Sequence, residues 1–375
     1  MGPTTELLHT FRNTQDRVWT IQELKGHIGE FSSDQYGSRF VQDAIREGDV
    51  ASIDIIYDEI VDAGVLKISK DVFGNYVIQR ILEHGADAHK DGALKLLKGH
   101  MRELSLHIYG CRVVQKLLDV ATSAQQAEIV KELEPHVPEC VHSAHGNHVV
   151  QKILEVVPPT YLNFVSVFRG RVINIARHTY GCRVIQRCFQ HLPPQQAQPL
   201  LTEFMEYAFD MITDQFGNYV IQYLLESGRP SERNYIVSLM RGNIVPFSLH
   251  KHASNVCERA FIYTPEKIRQ DLIDELLVLD HNHFPRGIHA LVHDQYGNYV
   301  LQRAVEQAHG LQKDYLMSVI SQQLRNVRVG PIGDQCVKYL AVDRALRRHG
   351  VDARRCAPAP IVRIHEHRYL PLVAY

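Results

Sequence analysis

The chain of 375 residues contains no run approaching the roughly 18 uncharged apolar residues that cross a bilayer as a helix. Its first residues, Met1-Gly2-Pro3-Thr4-Thr5-Glu6, include no apolar core of a secretion signal. Glu6 also stands where N-myristoylation needs Ser or Thr. Seven cysteines, an odd number without paired spacing, make no disulfide framework and read as reduced thiols of a cytosolic or nuclear protein. A surplus of either charge is missing too: 41 Lys and Arg face 42 Asp and Glu, for a formal net charge of −1. That balance argues against a protein that grips nucleic acid mainly through phosphates, but it leaves room for one that reads base edges from a locally basic face.

Catalytic signatures are equally scarce. There is no Gly-rich phosphate loop, no Gly-x-Ser-x-Gly and no pair of catalytic carboxylates. Twenty-two histidines invite a metal reading, with His145 and His148, or His281, His283, His289 and His293, as the nearest candidates. Neither group has a Cys-x-x-Cys partner or a His-Glu-x-x-His motif. Cys111 and Cys182 could be nucleophiles whose thiols are acidified by Arg112 and Arg183. Each, however, repeats a slot that Ser or Asn fills elsewhere. The expectation is a protein without enzymatic activity, metal or cofactor.

What the chain does have is a repeat. The segment Gly217-Asn218-Tyr219-Val220-Ile221-Gln222 recurs eight times with variation, anchored at Gln42, Gln79, Gln115, Gln151, Gln186, Gln222, Glu258 and Gln302. Successive anchors are 37, 36, 36, 35, 36, 36 and 44 residues apart. A period near 36 predicts a solenoid, because one such unit cannot bury its own core and must stack on its neighbours. Each unit is expected to hold two substantial helices and a short one. One helix follows Gly37, Gly74, Gly110, Gly146, Gly181, Gly217 and Gly297, with Ala253 in the seventh copy. On a helical wheel at about 100° per residue, Val77, Ile78, Ile81 and Leu82 share one face. Asn75, Tyr76, Gln79, Arg80 and Glu83 share the other.

The ends deviate as caps should. Trp19, Ile21, Leu24 and Ile28 recur at helical spacing in the first 30 residues, and Gly333 to Leu340 is a degraded echo of the motif. The wide last interval implies an insertion of about eight residues near Leu279–Arg286, whose Asp280-His281-Asn282-His283-Phe284-Pro285 reads as a loop. The expected division is a repeat domain over residues 1–341 and a tail of unassigned structure over 342–375.

The chemistry lies in the variable positions. Counting the residue after the glycine as position one, the anchor is position five, one helical turn away on the same face at roughly 6 Å, the width of a base edge. Four repeats pair Asn with Gln: Asn75/Gln79, Asn147/Gln151, Asn218/Gln222 and Asn298/Gln302. Three pair Ser or Cys with Gln: Ser38/Gln42, Cys111/Gln115 and Cys182/Gln186. One, Ser254/Glu258, carries a carboxylate. An ionised carboxylate only accepts hydrogen bonds, so Ser254/Glu258 suits the N1–H and N2–H₂ donors of guanine. Two amides suit uracil, and a small side chain with Gln suits adenine. Position two holds Arg39, Tyr76, Arg112, His148, Arg183, Tyr219, Asn255 and Tyr299. All but Asn255 are types that stack on nucleobases. Position six is basic in six repeats, at Arg80, Lys116, Lys152, Arg187, Arg259 and Arg303, which predicts a basic stripe.

These residues, with Glu30-Phe31-Ser32-Ser33-Asp34-Gln35-Tyr36-Gly37-Ser38-Arg39-Phe40 and the Ser254-Asn255-Val256-Cys257-Glu258 segment, closely resemble the Pumilio homology domain of the PUF family from about Glu6 to Ala341. The resemblance implies an all-α, right-handed α-solenoid: a crescent of eight three-helix repeats between capping pseudo-repeats. It implies single-stranded RNA lying antiparallel on the concave face, one base per repeat. Carried over residue by residue, it predicts 5′-UGUAUAUA-3′, with repeat four the most permissive. It further implies binding to messenger 3′ untranslated regions in the cytoplasm. Deadenylase or translational corepressor proteins would dock on the convex face, and the repeat seven–eight insertion is a candidate docking loop. The chain is expected to act as a monomer with no membrane partner. Departures are Cys257 where the family usually has valine, an unfamiliar tail after Ala341, and the absence of long low-complexity flanks.

Two other readings fit a solenoid. An armadillo or HEAT scaffold would carry apolar or randomly varied residues at positions one, two and five, whereas position five is amide or carboxylate in all eight repeats. A nucleolar relative gripping structured RNA would be more basic and less regular.

Overall fold

A computed structural model describes residues 5–14, 17–48 and 50–327. The echo at Gly333–Leu340 and the tail after Ala341 lie outside the described residues. Among those residues every regular element is a helix, and none is long and apolar enough to cross a membrane. The chain divides into two compact units, Met1–Tyr207 and Ala208–Tyr375.

The first unit holds an N-terminal segment and repeats one to five; the second holds repeats six to eight. A repeat runs short helix, motif helix, third helix, as in Val65–Ser69, Gly74–His84 and Asp87–Leu97 of repeat two. All eight motif helices span 11 residues: Gly37–Glu47, Gly74–His84, Gly110–Val120, Gly146–Val156, Gly181–His191, Gly217–Ser227, Ala253–Tyr263 and Gly297–Gln307. Within each unit consecutive motif helices pack side by side. The apolar face predicted for repeat two is sealed, with Val77, Ile78, Ile81 and Leu82 at most 1% exposed. Cys257 fills the same layer in repeat seven, completely buried. Burial pushes its thiol up to about 12.

Two local devices set the repeat geometry. A glycine with positive φ opens the short helix in several repeats, and an acid on that repeat's third helix caps it. Glu132 accepts from Gly99 N (2.9 Å) and Met101 N (2.7 Å), and Glu203 accepts from Gly170 N (2.7 Å) and Val172 N (2.9 Å). Glu59 does the same for Gly26 and Ile28. The glycine that starts the motif helix has a different role. A Cβ at Gly181 would stand 2.3 Å from the Ile175 carbonyl oxygen, so the short helix is crossed at a distance only glycine permits.

The N-terminal segment differs from its predicted helical spacing. Trp19 precedes a 3-10 turn, Ile21–Leu24, which a Thr20/Glu23 capping box starts, and Gly26 (φ 90°) breaks the chain before Ile28. The four apolar residues still converge on the core. The repeat seven–eight insertion is a loop, as predicted, between Glu266–Leu276 and Arg286–His293. Asp280 organises it, accepting from Asn282 N (2.8 Å) and Phe284 N (3.0 Å) and pairing with Arg286 Nε (2.5 Å).

Candidate nucleic-acid interface

The motif helices begin on a cap that sequence reasoning missed. Three residues before the helix start, one side chain accepts from two successive backbone N–H groups in every repeat. Asp71 Oδ1 takes Phe73 N (2.9 Å) and Gly74 N (2.8 Å), and Asp34, Asp214 and Asp294 do likewise. Ser143 serves repeat four. In repeats three, five and seven the acceptor is the Nδ1 of His107, His178 and His250, at 3.2–3.3 Å. An accepting Nδ1 requires the neutral ring with its proton on Nε2. Burial holds His107 and His178 below the ordinary imidazole value, with Lys70 and His145 adding to the effect at His107 and His142 at His178. The signal was a column of Asp, His or Ser at a fixed offset from the glycine.

Position one points inward, a correction to the exposed polar arc expected for it. Ser38, Asn75, Cys111, Asn147, Cys182, Asn218, Ser254 and Asn298 are all buried. Asn75 Nδ2 donates to the carbonyls of Asp71 (2.9 Å) and Val72 (3.0 Å), and Asn147, Asn218 and Asn298 repeat this pair of bonds. The Cys111 and Cys182 thiols reach the carbonyls of Ile108 (3.5 Å) and Thr179 (3.6 Å), and Ser254 Oγ that of Lys251 (3.3 Å). Burial pushes the Cys111 thiol up despite Arg112, so the sequence-level case for an acidified nucleophile there fails.

Position five, half-buried in all eight repeats, answers to position one. Where position one is Asn, its side-chain carbonyl accepts from the Gln Nε2: 3.0 Å at Gln79, 2.8 Å at Gln151, 2.7 Å at Gln222 and 3.1 Å at Gln302. The two amide tips thus meet, instead of standing apart as the helical spacing suggested. The bond fixes the orientation of the Gln amide and commits one of its two N–H donors, leaving the carbonyl and the second N–H. A thiol offers no such acceptor, and Gln115 Nε2 turns to the backbone carbonyl of Cys111 (2.9 Å). Gln42 and Gln186 occupy the same half-buried place. Glu258 is the one carboxylate in the column. Burial pushes its pKa above the ordinary value, against the pull of Arg303 and Arg259.

Position two is exposed throughout: Arg39, Tyr76, Arg112, His148, Arg183, Tyr219, Asn255 and Tyr299. In the second unit, Tyr219, Asn255 and Tyr299 of three successive repeats line one cavity of about 450 Å³, together with Ser254 and Glu258. Asn255 folds back on the helix start, its Nδ2 3.4 Å from the His252 carbonyl. In the first unit His148 is held below the ordinary imidazole value, by burial and then by Arg112 and Arg183.

The predicted basic stripe is instead a ladder of ion pairs. Lys116 Nζ reaches back to Glu83 of the preceding repeat (2.6 Å), Lys152 to Asp119 (3.1 Å) and Arg259 to Glu226 (3.5 Å). The acid stands at position nine each time. Repeat one has Arg46 there, and Arg80 pairs within its own helix with Glu83 (2.5 Å). Repeat seven has Ile262 there. Arg303 then divides between Glu306 (2.5 Å) and Glu258 (3.6 Å). Arg187 meets Gln190 of its own helix (2.7 Å). Of the candidate metal ligands, the His289 and His293 rings meet in a tilted contact, centroids 4.7 Å apart and planes at 56°. Among the described residues no three His, Cys, Asp or Glu side chains group to hold an ion.

Comparison with known proteins places this geometry. The family model of the Pumilio-family RNA binding repeat matches eight times, over residues 27–61, 64–92, 100–134, 136–165, 171–205, 207–240, 243–277 and 288–321. A Pumilio domain-containing protein of Schizosaccharomyces pombe, C6G9.14, is 30% identical over 332 residues, covering 86% of this chain and 47% of the relative. Pumilio homolog 12 of Arabidopsis thaliana is 29% identical over 331 residues, covering 86% and 54%. The chain therefore spans about half the length of these curated relatives. Among solved structures, the Puf3 RNA binding domain bound to a Cox17 RNA 3′ UTR recognition sequence (site A) superposes with TM-score 0.81 at 33% identity, covering 90% of this chain and 99% of that one. PUF-8 in complex with PBE-RNA superposes with TM-score 0.80 at 27% identity, covering 92% and 100%. Eight motif helices, eight matched repeats and these structural neighbours make the chain a member of the Pumilio family of RNA-binding repeat proteins.

Proposed function

We propose that the chain binds single-stranded RNA in a sequence-specific way, one base per repeat, with 5′-UGUAUAUA-3′ as the preferred element. Repeat eight takes the first base and repeat one the last. The observation that carries this reading is the dependence of position five on position one. Asn takes one N–H of its Gln and so orients the amide, leaving the carbonyl for the N3–H of uracil and the second N–H for a uracil carbonyl, as at Asn218/Gln222. Ser254 leaves Glu258 as a pure acceptor for the two donors of guanine. The exposed rings and guanidinium groups of position two supply stacking surfaces, worth about 1–3 kcal/mol per base in comparable sites.

On this reading the repeat domain comprises residues 1–341. The RNA is a messenger 3′ untranslated region, like the Cox17 RNA 3′ UTR sequence bound by the Puf3 domain. Deadenylation or translational-repression proteins act as partners of a monomeric, cytoplasmic protein, and no catalytic step is assigned to it. The test is fluorescence anisotropy with 5′-UGUAUAUA-3′ and with the strand in which G is replaced by U. Tighter binding of the first by about tenfold or more, the scale of a base-edge mismatch, is expected; equal affinity overturns the assignment.

A further inference from the structure

The first unit contains a cavity that none of the eight repeats accounts for. It measures about 440 Å³, close to the 450 Å³ of the seat lined by repeats six, seven and eight. The likeness extends to its walls. That seat uses the residue before the helix start and the position-two residue of each repeat: Phe216 with Tyr219, His252 with Asn255, Tyr296 with Tyr299. The corresponding pair of repeat one, Tyr36 and Arg39, lines the new cavity. Where the other seat has further repeats, the opposite wall here comes from the N-terminal segment, chiefly Arg12, Arg17 and Trp19.

The wall chemistry is that of a nucleotide site. Tyr36 is 51% exposed, whereas the matching residues of the other seven repeats are half-buried. The Arg17 guanidinium lies over the Trp19 ring, 4.1 Å from its centroid, forming a stacked edge. The Trp19 indole N–H is buried and has no hydrogen-bond partner among the described residues. Arg12 pairs with Asp34 and Arg17 with Glu23, and the two arginine side chains remain 40% and 50% exposed. With Arg39, three guanidinium groups line the cavity; Asp34 and Glu30 lie beside Arg12 and Glu23 beside Arg17, so it is the exposed edges of these groups, not a charge surplus, that a phosphate would meet.

We propose that this cavity seats a ninth nucleotide, the one that follows the base read by repeat one. Its base stacks between Arg39 and the Arg17–Trp19 edge beside Tyr36, and its phosphate lies near Arg12. The inference rests on the RNA reading above and on its strand direction.

The experiment compares three RNAs on the full chain by fluorescence anisotropy: 5′-UGUAUAUA-3′, the same strand with a 3′ adenosine, and the same length with an abasic ninth position. The added adenosine is expected to tighten binding by about fivefold or more, the scale of one stacked base, and the abasic strand to match the octamer. Arg17→Ala is expected to remove the gain while leaving octamer affinity unchanged. Val18→Glu, at a rim residue 87% exposed and so no risk to the core, is expected to do the same. Equal binding of all three strands overturns the ninth seat and leaves the eight-base reading intact. An equal gain from the abasic strand, or a gain surviving both variants, also overturns it. Failure of the octamer itself to bind removes the underlying reading, and the ninth seat with it.

Discussion

Arg303 stands with its Nη2 3.6 Å from Oε2 of Glu258, one repeat away, because repeat seven has Ile262 where other repeats offer a position-nine acid. The guanidinium offsets the burial that raises the Glu258 pKa. Guanine binding needs the ionised carboxylate. On the proposed reading, preference for G is therefore expected to decline as pH falls through a carboxylate range lying above the ordinary one. Arg303→Met is expected to move that decline to higher pH. It should also cut G-over-U discrimination at pH 7 by about two- to fivefold, the scale of a part-exposed ion pair. Anisotropy titrations between pH 5 and pH 8 measure both effects; an unchanged pH profile would show that Arg303 does not tune Glu258.

Ser254→Asn combined with Glu258→Gln is expected to convert repeat seven from G to U preference. The introduced Asn supplies the carbonyl that holds the Gln amide in Asn218/Gln222. Competition between 5′-UGUAUAUA-3′ and 5′-UUUAUAUA-3′ reads the switch, and persistence of G preference contradicts the one-repeat, one-base assignment.

His107 and His178 cap their helices only when neutral, and both titrate below the ordinary imidazole value. The unfolded chain takes up protons first as pH falls. The caps' contribution is thus complete above the unfolded value of about 6.5 and is lost as pH drops through the depressed folded values. At about 0.5–1 kcal/mol per cap, thermal unfolding followed from pH 7.5 to pH 5 should show the loss. His107→Asp, which copies the cap of repeat two, should flatten the profile, and a profile as steep as that of the wild type would argue against the cap.

Glu83 receives both Lys116 and Arg80; burial pushes its pKa up, but these two bonds outweigh it and hold the carboxyl below its usual value. Because the position-six bases are paired within the protein, the log–log salt slope of RNA binding is expected to be shallow. Glu83→Gln releases two cations and should steepen that slope by about one phosphate contact, with a small loss of thermal stability. A steep slope in the wild type would mean that phosphates, not base edges, supply most of the affinity.

Periodicity made much of the fold legible before any coordinates. The eight helix starts, the sealed face of Val77, Ile78, Ile81 and Leu82, and the loop at Asp280 follow from patterns a linear sequence displays. The depth of a side chain was less accessible. A wheel assigns Asn75 a direction, but not the Asp71 and Val72 carbonyls that hold it inside. Pairing between repeats was also hidden. Lys116 and Glu83 are separated by 33 residues, and only the stacking register shows that they meet. Trp19 misled for a related reason: its spacing mimicked a helix that Thr20 and Gly26 do not allow.

The inward anchoring of position one has a consequence for how such a protein changes its message. Repeats with Ser38/Gln42, Cys111/Gln115 or Cys182/Gln186 already hold the Gln, so one substitution to Asn supplies the missing carbonyl and completes the uracil pair. Repeat seven lies two substitutions from that state, and their order matters. Asn beside Glu258 sets two acceptors tip to tip, a mismatched intermediate. Gln beside Ser254 instead reproduces the Ser38/Gln42 pair suited to adenine. On the proposed base assignments, mutational drift along this array therefore runs through adenine: U lies one step to one side of it and G one step to the other, while the alternative route between them crosses a valley.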